Sequence, residues 1–255
     1  MSRRNPAQSA FRGGALPGET LPMNNKVSLL RRFPVVAVVV FAVTATTSVA
    51  QFFVTGMLTS LQRDADRISA GQWWRPVTSM FVQDGGVAGT VFNLATLLLI
   101  GAIAEQLVSR PRWLVGYFGG GLVGESAGAL GWQPVGGGNS VAVNGLAGVV
   151  IVCLLTRRGA PDQLTQTAAL LVSLYAVVEV LSTFHNALAV PIGCAVCVAG
   201  FNVLRARNTT LAIRIATVLA PLCAVFLLAR TDIHGAALTG GLVIGAISLA
   251  VARRR

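Results

Sequence analysis

The side chains that could carry a hydrolytic step are few: two histidines, His185 and His234, and two serines beside glycine-rich stretches, Ser126 and Ser140. A serine becomes a nucleophile only when a base within hydrogen-bond reach takes its proton and a third group orients that base. Ser126 lies in Gly124-Glu125-Ser126-Ala127-Gly128, which matches the G-x-S-x-G nucleophile elbow. That motif works on a sharp strand-to-helix turn above a sheet; here it sits in an apolar segment and reads first as small-residue helix packing. Glu125 and Glu179 also fall inside apolar runs, where a carboxylate is a functional candidate and needs a partner. Through Glu179, proton-coupled transport of a small solute stays among the alternatives. Cys194 and Cys197 form a C-x-x-C with no second pair nearby, and Cys153 and Cys223 are likewise inside apolar runs. All four read as small hydrophobes, so neither a metal nor another cofactor is expected.

The elements that must hold these residues are membrane helices. Hydrophobic residues make up 54% of the chain and charged residues only 11%, against about 25% charged in a soluble domain. Too few charges remain to cover a water-soluble globule, so lipid is the main solvent and the bilayer the first partner. The net charge of +11 does not point to nucleic acid, because the basic residues fall between apolar segments, where they set orientation. Residues 1–32 are polar and basic and are expected to be a disordered cytoplasmic tail, with 33–255 the transmembrane domain. Apolar stretches at 34–58, 87–104, 113–132, 141–156, 164–183, 187–204, 211–229 and 235–252 predict an all-α polytopic bundle of about eight transmembrane helices.

With the N-terminus inside, sixteen basic residues fall on inner segments and four, Arg63, Arg67, Arg75 and Arg230, on outer ones. Arginine and lysine collect on the cytoplasmic side. Both termini are therefore expected in the cytoplasm, in a multi-pass protein of the cell (plasma or inner) membrane. His185 and His234 then both open helices from the outer side, parallel to the helix that begins near residue 141.

The long outer loop contains Gly71-Gln72-Trp73-Trp74-Arg75-Pro76, and Phe92-Asn93, Gly101 with Glu105, and Arg112-Trp113 follow it. Then come Gly136-Gly137-Gly138-Asn139-Ser140-Val141-Ala142-Val143-Asn144-Gly145 and, near the C-terminus, His234, Ala237, Gly241 and Gly245. This series resembles the rhomboid family of intramembrane serine proteases: its Trp-Arg loop, the end of its H-x-x-x-N segment, its G-x-x-x-E, its G-x-S-G stretch and its histidine helix. The resemblance runs from about 71 to 156 and again from 232 to 252. It implies a serine on the fourth helix, a histidine base on a later parallel helix, and oxyanion donors from the second helix. By that resemblance Trp74, Arg75, Glu105, Gly145, Gly241 and Gly245 are structural positions.

Departures fall at the catalytic positions. Asn144 occupies the place of the nucleophile, Ala142 that of the glycine two before it, and Gly148 that of an aromatic which stacks on the histidine. Gly89 replaces the oxyanion histidine, leaving Asn93 at the oxyanion position. An asparagine amide is not a useful nucleophile towards a peptide carbonyl. His234 is the favoured base, because Ala237, Gly241 and Gly245 give its helix a small-residue face for close approach, with His185 the alternative. The expected function is that of a pseudoprotease, a rhomboid-like protein that binds transmembrane segments of client proteins. The alternatives are an active rhomboid-type peptidase with an unorthodox nucleophile, Ser126 or Ser140, and a small-solute transporter.

Overall fold

The structure, a computed structural model, describes residues 31–253. Its long helices are α1 (Val35–Ala50), α2 (Gly86–Leu107), α3 (Arg110–Leu114, the π-helical Val115–Gly119 and Gly120–Ala129 in succession), α4 (Ser140–Thr156), α5 (Gln163–Ser182), α6 (Ala189–Arg207), α7 (Thr209–Ala229) and α8 (Ile233–Arg253). The fold is the all-α membrane bundle that the hydropathy predicts. α2, α5, α6, α7 and α8 are long and apolar enough to cross a membrane, while α1 and α4 are shorter apolar helices.

Helix ends follow local chemistry. Pro111 stands in the first turn of α3, where its missing N–H costs nothing. Asp162 caps α5 by accepting the Thr165 N–H, and Asn208 caps α7 by accepting that of Leu211. The first helix is shorter than the apolar run 34–58 suggests, because it ends at Ala50. There the Gln51 amide exchanges two hydrogen bonds with the backbone of Gln83, at 2.7 and 2.9 Å, and Gly56 turns the chain at φ +80°. The expected tail, 1–32, lies outside the described residues except for its last two. Arg31 pairs with Asp162 at 2.8 Å, and the Arg32 guanidinium donates to the carbonyls of Glu105 and Val108. The bundle is thus anchored before the boundary expected at residue 33.

α4 is the centre, with every residue from Val141 to Ile151 buried; a helix apolar all round belongs in the interior. Its glycines permit backbone contact with two neighbours. A Cβ on Gly241 would collide with the Gly145 carbonyl, one on Gly148 would lie 2.5 Å from the Leu238 carbonyl, and one on Gly120 would strike Gly145. Gly245 continues the series against Val152, so α4 and α8 run parallel, with their first residues side by side. At 1.5 Å per residue the 17 residues of α4 span about 26 Å, less than the roughly 30 Å of bilayer hydrocarbon.

The arrangement carries a topological prediction. Tags at positions 20, 108, 160, 209 and 255 are expected on the cytoplasmic side and tags at 68, 136 and 232 on the opposite side, as the arginine asymmetry requires. Accessibility labelling that put 160 and 232 on the same side would contradict the parallel course of α4 and α8.

Candidate active site

The turn between α7 and α8 places Thr231 in the left-handed region, φ 53°, immediately before Asp232. One oxygen of Asp232 accepts the backbone N–H of His234 at 2.8 Å, capping α8, and the same oxygen lies 2.7 Å from His234 Nδ1. Burial alone would raise the Asp232 carboxyl, but the hydrogen bonds and charge of His234 outweigh it and hold it below the usual carboxylate range. An ionised Asp232 accepts a hydrogen bond from Nδ1–H, which assigns the tautomer and leaves Nε2 as the basic nitrogen. Nε2 lies 3.0 Å from Ser140 Oγ. Serine, imidazole and carboxylate form one hydrogen-bonded line, the arrangement in which a hydroxyl can be deprotonated as it attacks.

One turn deeper, Asn144 is fully buried. Its Nδ2 donates to the Ser140 carbonyl at 3.1 Å and to Glu179 Oε1 at 3.3 Å, while its Oδ1 has no hydrogen-bond partner. The Tyr175 hydroxyl donates to the same Ser140 carbonyl at 3.2 Å. Glu179 Oε2 approaches His234 Nδ1 to 3.8 Å. Glu179 thus has a hydrogen-bond donor in Asn144 and a histidine close by. α5 supplies both Tyr175 and Glu179 and braces the first turn of α4 from behind.

Ser140 and His234 open into a polar cavity of about 330 Å³, also lined by Asn93, Arg63, Glu125 and Gly138. Asn93 Nδ2 donates to Gln83 Oε1 at 2.8 Å, Gln83 donates to Asn139 Oδ1 at 2.6 Å, and Asn139 donates back to the Asn93 carbonyl at 2.9 Å. Spent in this ring, the Asn139 side chain makes no cap bond to α4. The backbone N–H groups of Ser140 and Val141 have no acceptor among the described residues. Uncapped N–H groups at the positive end of a helix, with the Asn93 amide nearby, are the donors that an oxyanion requires.

The remaining site residues separate. Gly89 is half-buried on the first turn of α2, with no atom within 4 Å of a would-be Cβ, and it does not line the cavity. Ser126 is exposed on α3 and makes no contact with a histidine, so the G-x-S-x-G reading is not supported by position. His185 lies exposed in the α5–α6 turn at φ 50° instead of opening α6. The small residues of α6 pack elsewhere, Gly193 against Leu181. Glu105 receives the Ala37 N–H at 3.0 Å and Arg110 at 3.1 Å, Trp113 donates to the Gly101 carbonyl at 2.9 Å, and buried Arg75 bonds Gln72 and the carbonyls of Thr59 and Gln62. Trp73 and Trp74 are exposed, as suits rings at a membrane interface. Sequence reasoning missed Asp232, Tyr175, Gln83 and Arg63. Only Asp232 left a signal, as an acidic residue just before an apolar helix.

The family model described as "Rhomboid domain" matches residues 70–203. That is more than half of the chain, and the match ends before His234. The chain is also 30% identical over 93 residues to the "Putative rhomboid protease YdcA" of Bacillus subtilis (strain 168), an alignment covering 35% of this chain and 46% of that protein. The chain thus spans about half the length of this curated relative. No solved structure matches.

Proposed function

Since the chain belongs to the rhomboid family, we propose that it is a membrane serine peptidase whose nucleophile is Ser140, one helical turn before the position 144 at which the sequence resemblance put it. The observation that carries this reading is the line Ser140 Oγ, His234 Nε2, His234 Nδ1, Asp232 Oδ1, at 3.0 and 2.7 Å. Ser140 Oγ attacks the scissile carbonyl as its proton passes to Nε2, and Asp232 stabilises the imidazolium. The imidazolium then gives that proton to the leaving amine, and a water deprotonated by His234 releases the acid product. The N–H groups of Ser140 and Val141 meet the oxyanion. The substrate class that suits a recessed polar cavity is a transmembrane segment with a locally unwound backbone, since exposed N–H and C=O groups inside a membrane must be satisfied by protein or water.

A second reading rests on Asn144, a buried amide at the position where the sequence resemblance expects the nucleophile: the same cavity holds client segments without cutting them. A fluorophosphonate probe on the purified protein, in detergent and in liposomes, separates the two. The expected adduct is on Ser140, lost in Ser140→Ala and His234→Ala and retained in Ser126→Ala. Absence of any adduct, with client segments still captured, would replace the peptidase by the binding protein. An adduct on Ser126 would overturn the assignment of Ser140.

A further inference from the structure

At the end of the bundle opposite His234 lies a cavity of about 330 Å³ between the last turn of α4, the first turn of α5 and the first turns of α7. Its walls carry Arg157, Arg158 and Arg214, with Thr165 and Thr210. The nearby carboxylate, Asp162, is already shared, its Oδ2 lying 2.8 Å from Arg31 and 3.2 Å from Arg157. Its Oδ1 takes the N–H and hydroxyl of Thr165, at 2.8 and 2.5 Å. Arg158 and Arg214 form no ion pair among the described residues. The positive end of α7, which opens at Thr209, faces the same space through Thr210 and adds to the field. A concave site with this excess of guanidinium selects an anion, and the planar donor fork suits phosphate.

Arg214 also lines a second cavity, of about 310 Å³, whose other walls are Ile215, Val218, Leu219 and Leu222. Those four residues share one face of α7, and Ile215, Val218 and Leu222 are exposed. A free phosphate would need the first cavity alone. A phospholipid needs both, with an acyl chain leaving the headgroup at the depth where Arg214 stands.

We propose that these two neighbouring cavities, which share Arg214, bind an anionic phospholipid, its phosphate against Arg158 and Arg214 and one acyl chain along the Ile215–Leu222 face of α7. A zwitterionic lipid carries its own ammonium, which the arginines repel, so the site prefers a headgroup with net negative charge. The site is independent of the serine chemistry at the far end of the bundle.

The test is lipid retention by the full chain, measured by native mass spectrometry from mixed phosphatidylglycerol and phosphatidylcholine micelles, with thermal stability read in parallel. Phosphatidylglycerol is expected to be retained preferentially and to raise the melting temperature. Arg158→Gln and Arg214→Gln, both at exposed side chains, should each weaken retention about fivefold and together about 25-fold. Val218→Asn with Leu222→Asn, which keeps every charge, should also weaken it. Equal retention of the two lipids, or unchanged retention in the double arginine variant, would overturn the proposal. So would inorganic phosphate that reproduces the stabilisation and displaces phosphatidylglycerol, since the site would then be one for the free anion. Loss of the lipid effect in the arginine variant, with fluorophosphonate labelling of Ser140 intact, is the pattern expected of a separate site.

Discussion

Asp232→Asn is expected to slow fluorophosphonate labelling of Ser140 by about 10,000-fold while leaving the bundle folded, as loss of the orienting carboxylate does in other triads. Two roles of Asp232 must be separated for this test to mean anything. As the cap of α8 it accepts the His234 N–H, and asparagine caps a helix about as well as aspartate, so the start of α8 should hold. As the partner of Nδ1 it fixes the tautomer, and there an amide fails: it can present an N–H to the ring, favouring the proton on Nε2, where it blocks acceptance from Ser140. Glu179, 3.8 Å from Nδ1, is too far for a hydrogen bond and is braced by Asn144, so it should substitute poorly. Glu179→Gln should accordingly cost much less than Asp232→Asn. The comparison is made on second-order labelling rates, with melting temperature as the control for folding. An Asp232→Asn protein that labels as fast as the wild type would remove Asp232 from the site.

The sequence made the framework legible because membrane helices announce themselves by length and apolarity, and α2, α5, α6, α7 and α8 lie close to where hydropathy puts them. The small-residue face of α8 was equally readable, since Gly241 and Gly245 stand at the spacing that parallel backbone contact demands. What escaped depends on register between helices far apart in sequence. Whether His234 meets position 144 or position 140 turns on a single helical turn of sliding between α4 and α8. Gly145 and Gly241 settle that only through backbone contact. A one-turn difference converts a site without a nucleophile into one that contains a serine. Asp232 escaped because a capping residue and a triad acid look alike before the fold is known, and here one oxygen meets both the His234 backbone N–H and its ring. The break of α1 at Gln51 escaped because apolar residues continue past it, and only the distant backbone of Gln83 explains the amide's choice.

The second large effect expected is on stability: Arg63→Met should destabilise the protein by about 3–5 kcal/mol, the usual cost of leaving one member of a buried ion pair without its partner. Arg63 and Glu125 are almost wholly buried, and their charged groups meet at 2.5 Å. Arg63 also donates through Nε to the Gln133 carbonyl at 2.7 Å and pairs through its backbone with Gly136. Gly128 leaves room for the guanidinium, since a Cβ there would lie 2.6 Å from Nε. The single arginine thus ties the loop between α1 and α2 to α3 and to the 133–138 segment that leads into Ser140. The other oxygen of Glu125 has no partner, so the pair is incompletely satisfied, and removing both charges removes that orphan acceptor as well. Arg63→Met with Glu125→Leu should therefore recover much of the loss, because a well-packed apolar replacement for a buried pair is often neutral. Unfolding of the wild type, both single variants and the double variant in mixed detergent gives the coupling directly. A double variant as unstable as Arg63→Met would mean that the loss comes from the side-chain bond to Gln133 and not from an uncompensated Glu125. In that event Ser140 labelling should fall in the double variant too, because the segment entering α4 would have lost its tether, whereas charge compensation alone would leave labelling intact.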